Sequence, residues 1–538
     1  MSGVRDLVYS SALYRVSLRG RFHHGLAFQP DDPWPGNPER ANELFQGTYT
    51  LGGQTVTVGA NPPWRNPDGG DAWRSELHAF SWLRHFREAG GDSAVRAARS
   101  LAGTWHSHCG TYDPFIWRPD ILARRLTNWC LNADLLIRHA ELTYRSNILR
   151  SFGRQAKHLS RTADQMKSGA EGIATAVGLA LVGYCLPESR AYAEKGLRLL
   201  ADQLSRQILS DGGHVSRSPE TLERVLRDLV LLKRVMMEVG EPAPDALINA
   251  IDRITPTLKL FRHGDGGLAL FNGGTAGDAD AIEITVKRSG IRGKPNLSAL
   301  RSGYERLQGD RTAVICDFGG PDPQPGIGHA GLLSFELSHR RERIVVNSGA
   351  SRPPSAQWQA ALASTAAHST LTVDDTNAVP VPEAGRKRRR GMETEAVRTE
   401  SAEATWLDMS HDGYRQAYGI THRRRLYLDA AGRDFRGEDT LEPAPSKSRR
   451  SVPFAIRFHL HPDVQAVPSQ GGDAVLLRLK SGRGWRFRMA GAELKIEDGV
   501  YLGDGRPRKT RQIVLHGVLE QEALAVHWAF GLIEGADA

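Results

Sequence analysis

The chain changes its hydrophobic periodicity once, from helical in the first half to alternating in the second. From about Trp73 to Asp252, apolar residues recur at spacings of three and four, as on one face of an α-helix. Ser218 and Pro219 supply a cap with proline at the first helical position. Two such faces comprise Leu122, Leu126, Trp129, Cys130, Ala133, Leu136 and Ile137, then Leu222, Val225, Leu226, Leu229, Leu232 and Met236. Several helices of roughly 12 to 20 residues, separated by Gly or Pro breaks, predict an all-α domain.

After about Pro295, apolar and polar residues alternate with period two, which is typical of β-strands. The strand-like segments are 335–337, 344–346, 371–373, 424–428, 454–460, 475–479, 485–489, 513–515 and 525–529. So many short strands, with turn residues between them, predict a large antiparallel β-sandwich.

The predicted fold class is therefore multidomain α+β, with helices first and the sandwich second. Residues 1–70 are rich in Pro, Gly and aromatic residues and predict an arm packed on the helical domain. The helical domain is expected over residues 71–290 and the sandwich over residues 295–538.

Composition excludes several classes of protein. The chain has 538 residues, of which 40% are hydrophobic and 24% charged, so it is globular and too long for one ordinary core. A formal net charge of +9 raises the local concentration of anionic partners, such as nucleic acid or acidic polysaccharide. Cys109, Cys130, Cys185 and Cys316 lack C-x-x-C spacing, which favours buried thiols over a zinc module or a disulfide scaffold.

The first twenty residues mix Arg5, Asp6, Arg15 and Arg19 with apolar residues, so they lack the uninterrupted apolar core of a signal peptide. No apolar run approaches the roughly 20 residues that cross a bilayer. We therefore expect no transmembrane segment and a cytoplasmic location.

Two local patterns suggest nucleotide or nucleic-acid binding but are better explained as loops. Gly326, Gly328 and Gly331 match G-x-G-x-x-G, yet prolines precede them and a strand-like segment, Leu332 to Leu337, follows. The basic run Arg386–Arg390 follows prolines and a glycine, which predicts either a solvated loop or an anion-docking tongue. Because no helix-turn-helix, zinc or RNP-type signature accompanies the basic charge, no nucleic-acid partner is predicted.

Three side chains between Gly326 and Asp374 carry the most chemical information. His329, Asn347 and His368 lie on three successive β-like segments. Two imidazoles and an amide are therefore expected to converge on one sheet.

The order of domains and several motifs resembles the heparinase II/III-like polysaccharide lyase family, and the match covers almost the whole chain. No single motif is decisive, but the order and spacing of all the motifs together are specific to this family. They lie at residues 73–83, 117–120, 124–129, 211–219, 329–337, 364–368, 433–441 and 454–462.

The resemblance implies an N-terminal (α/α) toroid, a C-terminal antiparallel β-sandwich, and β-elimination of uronate-containing polysaccharides in a cleft between them. The proton removed lies α to a carboxylate, so the carboxylate charge has to be neutralised while a base takes the proton. An acid then protonates the leaving oxygen. Family members use an Asn, His or Glu cluster, a Tyr and a His from the sandwich for these tasks. The implied partner is an acidic, glycosaminoglycan-like polysaccharide or oligosaccharide, and periplasm or cell envelope becomes the alternative location.

In the helical half, the resemblance points to Glu171 as the neutraliser, beside Ala170 where many relatives have Asn. A protonated Glu171 could hydrogen-bond the substrate carboxylate, which requires a strongly raised pKa. The alternative is a helix-start carboxylate that complements the helix dipole.

Thr221 stands where the family has its catalytic Tyr, and threonine does not titrate in the useful range. The predicted substitutes are His214 as a base near neutral pH and Arg217 as a bidentate partner for a carboxylate. For both His214 and Arg217, the alternative is a structural role in ordering the loop that carries them. Tyr304 and Tyr414 are further phenols that folding could bring into the cleft.

Relatives carry a His, Asp, His zinc site in the sandwich and often read His-x-His-Ala-Asp. Here the run is Ile327-Gly-His329-Ala-Gly331, and the aspartate and distal histidine correspond to Asn347 and His368. A structural Zn²⁺ held by His329, Asn347 and His368 is one interpretation, and no cofactor is required for catalysis. The others are a metal-free hydrogen-bonded pair, or catalytic use of His329 or His368.

The leading hypothesis is a polysaccharide lyase that acts by β-elimination with an atypical set of catalytic residues: Glu171, His214, Arg217, His329 and His368. A glycoside hydrolase that uses carboxylates such as Glu171 and Asp211 is an alternative on the same fold. The absence of the family Tyr favours another alternative, a non-catalytic glycan-binding or polysaccharide-assembly protein. The sugar, its linkage and the oligomeric state are not predicted.

Overall fold

A computed structural model describes residues 2–20, 25–59, 61–166, 169–319, 328–353, 355–381, 392–444, 451–469, 471–520 and 522–533. The chain forms two compact units. The first comprises Met1–Gln207 and Arg224–Ile251, and the second comprises Ile208–Glu223 and Asp252–Ala538. The bounds of these units differ from those expected from sequence, because residues 208–223 and 252–290 group with the strands.

Most of the α-helices lie in the first unit, whereas helical residues 219–223 and those from 252 onward lie in the second. In the described residues they are α1 (Ser2–Ser10), α2 (Ala12–Ser17), α3 (Pro38–Phe45), α4 (Asp71–Ala79), α5 (Leu83–Ala89), α6 (Gly91–Cys109), α7 (Pro119–Leu131), α8 (Ala133–Ile137), α9 (Leu142–Thr162), α10 (Gly169–Cys185), α11 (Arg190–Gln207), α12 (Pro219–Glu238), α13 (Asp245–Leu260), α14 (Ala279–Ser289), α15 (Ala356–Ala363) and α16 (Arg415–Tyr418). The apolar face predicted over residues 121–137 is divided between α7 and α8 at Asn132, which lies outside helical geometry with φ −120° and ψ 26°.

The core of the first unit is aromatic and encloses a buried cation. Trp73, Trp82, Trp105 and Trp129 are nearly inaccessible to solvent, and Arg125 lies among them with its Cζ 4.4 Å from the Trp105 ring centroid. The Arg125 guanidinium donates to Gln155 Oε1 and to the carbonyl oxygens of His78 and Ile116. Burial lowers the pKa of Arg125 to about 9. These bonds tie α7 to α9 and to the segments that end at His78 and Ile116.

All but two of the described strands belong to the second unit. They are β1 (Thr48–Leu51), β2 (Gln54–Thr57), β3 (Ser298–Ala299), β4 (Tyr304–Gln308), β5 (Thr312–Asp317), β6 (Phe335–His339), β7 (Glu342–Val346), β8 (Leu371–Val373), β9 (Thr394–Glu400), β10 (Ala404–His411), β11 (Ile420–Asp429), β12 (Asp434–Pro443), β13 (Val452–Leu460), β14 (Gln465–Pro468), β15 (Ala474–Arg478), β16 (Gly484–Ala490), β17 (Glu493–Tyr501), β18 (Arg508–Leu519) and β19 (Leu524–Leu532).

The second unit holds two antiparallel sheets. One has the order β14-β15-β16-β19-β12-β11-β10-β9, and the other has the order β17-β18-β13-β7-β6-β5-β4-β3 with β8 paired to β13. Inward-facing aromatic residues of both sheets interdigitate: the rings of Phe335 and Trp528 stack at 5.5 Å, and Phe458 meets Trp528 at 4.9 Å. The predicted order of a helical region followed by an antiparallel sandwich is confirmed.

A charged network is buried within this aromatic core. Asp439 on β12 accepts two bonds from the Arg424 guanidinium, at 2.7 and 2.9 Å, and further bonds from Trp528 and His422. Arg424 uses its remaining nitrogen to donate to the carbonyl oxygens of Leu333 and Ser369. Burial opposes ionisation of Asp439, but Arg424 and His422 outweigh it and hold the pKa of this carboxyl well below its usual range. The pair thus fixes two loops to β11 and β12.

We predict that Asp439→Asn destabilises the protein by about 3–5 kcal/mol, because it leaves Arg424 buried without a counter-charge. The control is Asp408→Asn, whose carboxylate pairs with Arg423 and Arg425 on the solvent-exposed face of the same sheet. Asp408→Asn should lower the free energy of unfolding by only about 0–1 kcal/mol. Urea unfolding at neutral pH measures both, and equal losses would show that the buried pair contributes no more than a surface pair.

Candidate functional site

The three side chains singled out from sequence lie in loops beside one sheet. His329 precedes β6, Asn347 directly follows β7, and His368 follows the 3-10 turn Thr365–Ala367 and precedes β8. The prediction that they lie on β-strands is therefore wrong. For His329 the reason is a turn in which Ser334 N donates to Gly331 O at 3.1 Å, so the strand expected from Leu332 begins only at Phe335.

The two imidazoles form a directed hydrogen-bonded pair. His368 Nδ1 lies 2.7 Å from the carbonyl oxygen of Ser364, and His368 Nε2 lies 3.1 Å from His329 Nδ1. Because a carbonyl can only accept, His368 Nδ1 carries the proton and the neutral ring accepts at Nε2. His329 must then donate from Nδ1, which leaves a lone pair on its Nε2. That atom has no hydrogen-bond partner among the described residues, and His329 is partly exposed.

Close packing fixes the orientation of His368. A Cβ atom placed on Gly331 would lie 2.5 Å from His368 Cδ2, so the glycine is required for the approach of the ring. Burial lowers the pKa of His368 to about 4. Burial and the neighbouring His368 ring lower the pKa of His329 well below its ordinary value. Both rings are therefore neutral near pH 7.

These residues do not fit a tight zinc site. Asn347 Oδ1 already accepts from Ser369 N at 3.0 Å, while Asn347 Nδ2, a donor, is buried and has no hydrogen-bond partner among the described residues. The set contains no anionic ligand, whereas zinc prefers cysteine, histidine and carboxylate. Within the described ranges, no group of three His, Cys, Asp or Glu residues is placed to hold a metal ion. A structural zinc stays a prediction that this donor set does not favour.

Arg217 is committed to an internal partner. Its guanidinium forms an ion pair with Asp317 and donates from Nε to the carbonyl oxygen of Ser302 at 2.7 Å. Gly319 allows this approach, because a Cβ at that position would lie 2.6 Å from the guanidinium. Burial raises the pKa of Asp317 to about 6, although Arg217 opposes that rise. Arg217 is therefore placed to hold its loop rather than to meet a substrate carboxylate.

Asn272 connects this ion pair to the histidine pair. Its Nδ2 donates to the Tyr304 hydroxyl at 2.7 Å, and its Oδ1 accepts from the backbone N–H of His329 at 3.0 Å. The Tyr304 hydroxyl in turn donates to the carbonyl oxygen of Arg217 at 2.6 Å. The backbones that carry Arg217 and His329 are thus linked through Asn272 and Tyr304.

The two phenols proposed from sequence are structural. Tyr304 is fully buried against Phe261 and Phe271, and Tyr414 is buried with its hydroxyl on the carbonyl oxygen of Leu371. Burial raises the pKa of Tyr414 above its ordinary range. The expectation that these phenols reach a cleft is wrong, because both hydroxyls serve backbone carbonyls in the interior.

The loop that carries His214 is also held internally. His214 is buried, and its Nδ1 accepts from the backbone N–H of Ser216 at 3.0 Å. Asp211, proposed for hydrolysis, accepts from Ser302 N, Ser302 Oγ and Gly213 N within 3.0 Å. Thr221 lies in the first turn of α12 and offers no titratable group. A catalytic role of His214 stays a prediction.

Glu171 lies in the first turn of α10 in the first unit. Burial raises its pKa, but Arg224, its own backbone N–H and Arg124 outweigh this, so the pKa of Glu171 is lowered. The Arg224 guanidinium lies 3.3 Å from Glu171 Oε1. The surrounding arginines favour the charged carboxylate over a protonated one, and a role of Glu171 as neutraliser stays a prediction.

A polar pocket in the first unit had no sequence signal. It has a volume of about 350 Å³ and lies between the segment after β2 and the end of α6. Three of its lining residues are basic, namely Arg65, Arg74 and His108, and Trp64 forms part of its wall. The carboxylate of Asp113, also at the pocket, is engaged by the backbone N–H groups of Phe115 and Ile116. Such a pocket suits an anionic, hydroxyl-bearing ligand.

Three sequence features lie outside the described residues. These are the basic run Arg386–Arg390, Gly326 of the glycine pattern and Ile327 beside His329. The anion-docking role considered for the basic run stays a prediction.

Comparisons with solved structures place the fold among polysaccharide lyases. Heparinase III matches with a TM-score of 0.71 and 14% identity over 89% of this chain and 81% of the other. A heparan sulfate lyase HepC mutant from Pedobacter heparinus matches with a TM-score of 0.65 and 16% identity over 98% and 88%. At these identities the likeness shows the fold alone, a helical toroid and an antiparallel β-sandwich.

Sequence comparison gives the family. Residues 291–529 match the family model "Heparinase II/III-like, C-terminal". FtsZ-localized protein C of Caulobacter vibrioides is 32% identical over 544 aligned positions, which cover 98% of this chain and 94% of that protein. The chain belongs to the heparinase II/III-like family, as its motifs predicted. None of the helices in the described part of the chain is long and apolar enough to cross a membrane.

We predict that His329 and His368 are both neutral near pH 7 and carry their protons on Nδ1, with His368 protonating only near pH 4. Because the pKa of His368 is lower in the folded state than its ordinary 6.5, burial of the neutral ring contributes its full share of folding stability above pH 6.5. That contribution is lost as the pH falls towards 4. Nitrogen NMR of the imidazoles across this range measures both properties, with His368→Asn to assign the signals. A His368 ring that charges near pH 6.5 would contradict the buried pair.

Proposed function

We propose that this chain is a lyase-fold protein of the cell-division site that binds an acidic glycan without cleaving it by β-elimination. The proposal keeps the substrate class of the family and departs from its chemistry. One observation carries it: Arg217, Glu171, His214 and His368 are engaged by partners within the protein, which leaves His329 Nε2 as the exception among the candidate elimination groups.

Elimination requires a neutraliser, a base and an acid. Arg217 is paired with Asp317, and Glu171 is charged beside Arg224, so neither is arranged to neutralise a uronate. Thr221 replaces the phenol, and Tyr304 is buried with its hydroxyl on a backbone carbonyl. This arrangement supports a protein that keeps the lyase fold but uses these candidate elimination groups for structural contacts.

Glycan recognition is supported by the pocket of the first unit. Arg65, Arg74 and His108 present charged or polar nitrogens around a space of about 350 Å³, with Trp64 beside them. Arginine pairs with carboxylate and sulfate-like oxygens by charge-assisted bonds, and an aromatic wall suits the apolar face of a sugar ring. The formal net charge of +9 favours the approach of a polyanion.

The division site enters through the similarity to FtsZ-localized protein C, which extends over 98% of this chain. A relative that matches from one end to the other supports a shared cellular role better than a match to one domain would. We therefore propose that this chain also concentrates where FtsZ assembles.

Residual elimination is the second candidate, and the His329 lone pair favours it. The His329 side chain is partly exposed, its Nε2 is unprotonated, and its Nδ1 contacts the His368 ring. Its lowered pKa makes it a weak base. This candidate predicts slow turnover that His329→Gln removes.

A panel of acidic polysaccharides, read for binding, unsaturated uronate absorbance and reducing ends, tests the proposal. We expect saturable binding of at least one glycan and neither product. Replacing Arg65 and Arg74 by Gln should weaken that binding about tenfold or more, because charge-assisted bonds contribute about 1.5–3 kcal/mol each. The control replaces Arg96 and Arg138, exposed arginines of the same unit, by Gln with the same change in net charge.

Unsaturated product that disappears in His329→Gln would establish the second candidate in place of the first. Reducing ends without uronate absorbance would indicate hydrolysis. Equal binding by the pocket and control variants would place the glycan elsewhere on the chain.

We expect a fluorescent fusion of the full chain, expressed in Caulobacter vibrioides, to concentrate where labelled FtsZ concentrates. Depletion of FtsZ should disperse the fusion, while the free fluorescent protein stays diffuse throughout. A fusion that is evenly distributed in cells with assembled FtsZ would contradict the proposed location.

A further inference from the structure

The first two helices expose five aliphatic side chains within thirteen residues of sequence. Leu7 is 75% exposed and Leu13 is 84% exposed, values at which a leucine makes almost no contact with its own protein. The other exposed members are Val4, Val8 and Val16. We call these five side chains the aliphatic face of α1 and α2. Large aliphatic side chains this exposed and this close together mark an interaction surface.

Polar and aromatic residues hold the opposite side of the helices to the first unit. Asp6 accepts from the Tyr112 hydroxyl at 2.6 Å, and the Tyr9 hydroxyl accepts from Gln165 Nε2 at 3.0 Å. The Tyr14 hydroxyl lies 2.8 Å from His158 Nδ1. The aliphatic face is therefore exposed while the same helices are anchored by their other side, and fraying does not explain the exposure.

The spacing of the apolar residues makes α1 amphipathic. Val4, Leu7 and Val8 recur at three and four residues, as on one side of a helix. Leu13 and Val16 on α2 are three residues apart and extend the apolar surface.

Positive charge flanks the aliphatic face. Arg5, Arg15 and Arg19 are exposed, and the one acidic residue between residues 2 and 20, Asp6, accepts a hydrogen bond from Tyr112. The formal net charge of this segment is therefore 3 − 1 = +2. From the body of the unit, Lys157 and Arg161 bond backbone oxygens of Arg19 and Ser17 and add further positive charge. The combination of aliphatic side chains with a basic border complements an anionic lipid surface.

We propose that α1 and α2 bind the surface of an anionic membrane, with the aliphatic face inserted among the lipids and the arginines on the headgroups. A lipid surface fits better than a protein partner because all five side chains are aliphatic. The cores of protein interfaces are instead enriched in aromatic residues and methionine. The helices lie parallel to the membrane plane in this arrangement. The proposal is independent of glycan binding.

Vesicle flotation with the full chain tests the proposal. The probe is vesicles of phosphatidylglycerol mixed with phosphatidylcholine, compared with vesicles of phosphatidylcholine alone. We expect the chain to float with the anionic vesicles and much less with the neutral ones. The doubly substituted variant Leu7→Glu, Leu13→Glu should lose at least tenfold in its partition coefficient on anionic vesicles. Both positions are exposed, so the variant should keep the thermal unfolding profile of the parent.

The matched control is Leu142→Glu, another exposed leucine of the same unit, at the first position of α9. A glutamate at the start of a helix is well tolerated, so this variant should float like the parent. Replacing Arg15 and Arg19 by Gln should remove the preference for anionic vesicles and the sensitivity to salt. Flotation unchanged in the double leucine variant would overturn the proposal. So would light scattering that shows a dimer lost in that variant without vesicle binding by the parent.

Discussion

A buried ion pair sets the geometry of the sandwich half of this protein. Arg424 and Asp439 lie side by side on neighbouring strands in an aromatic core, and neither is accessible to solvent. A charge in such a place has to be paired and fully hydrogen-bonded. Arg424 meets that requirement with the carboxylate and with two loop carbonyls, Leu333 and Ser369. The need to satisfy one guanidinium therefore fixes the loops that follow His329 and contain His368.

The same principle, internal hydrogen bonding of polar groups, underlies the proposal that this chain does not carry out β-elimination. Arg217 forms an ion pair with Asp317, and Asn272 forms hydrogen bonds with the Tyr304 hydroxyl and with the backbone N–H of His329. These residues form a rigid network beneath the histidine pair. Arg217 and Tyr304, both singled out from sequence, are here engaged in holding loops.

Much of the fold could be predicted from sequence because periodicity reports burial directly. Segment 485–489, for example, alternates apolar and polar residues and lies in β16. Strands with mixed outer faces were missed, among them β9, which is charged and largely exposed. At the candidate site, the motifs singled out His329 and His368, which the structure brings into contact. Their roles depended on partners distant in sequence, such as Asp317, which lies 100 residues after Arg217. The pocket around Arg65 and Arg74 was not predicted, because it is assembled from a turn and two helix ends that are separated in sequence.

The most direct measurement of the central claim is hydrogen exchange at the sugar itself. With an acidic polysaccharide bound in deuterated water, a lyase-type base exchanges the proton α to the uronate carboxylate even when the glycosidic bond stays intact. The account predicts saturation transfer from protein to glycan, which shows binding, and no gain of deuterium at that carbon. Deuterium incorporation that depends on the protein would contradict it, since a working base and neutraliser would then have to be present.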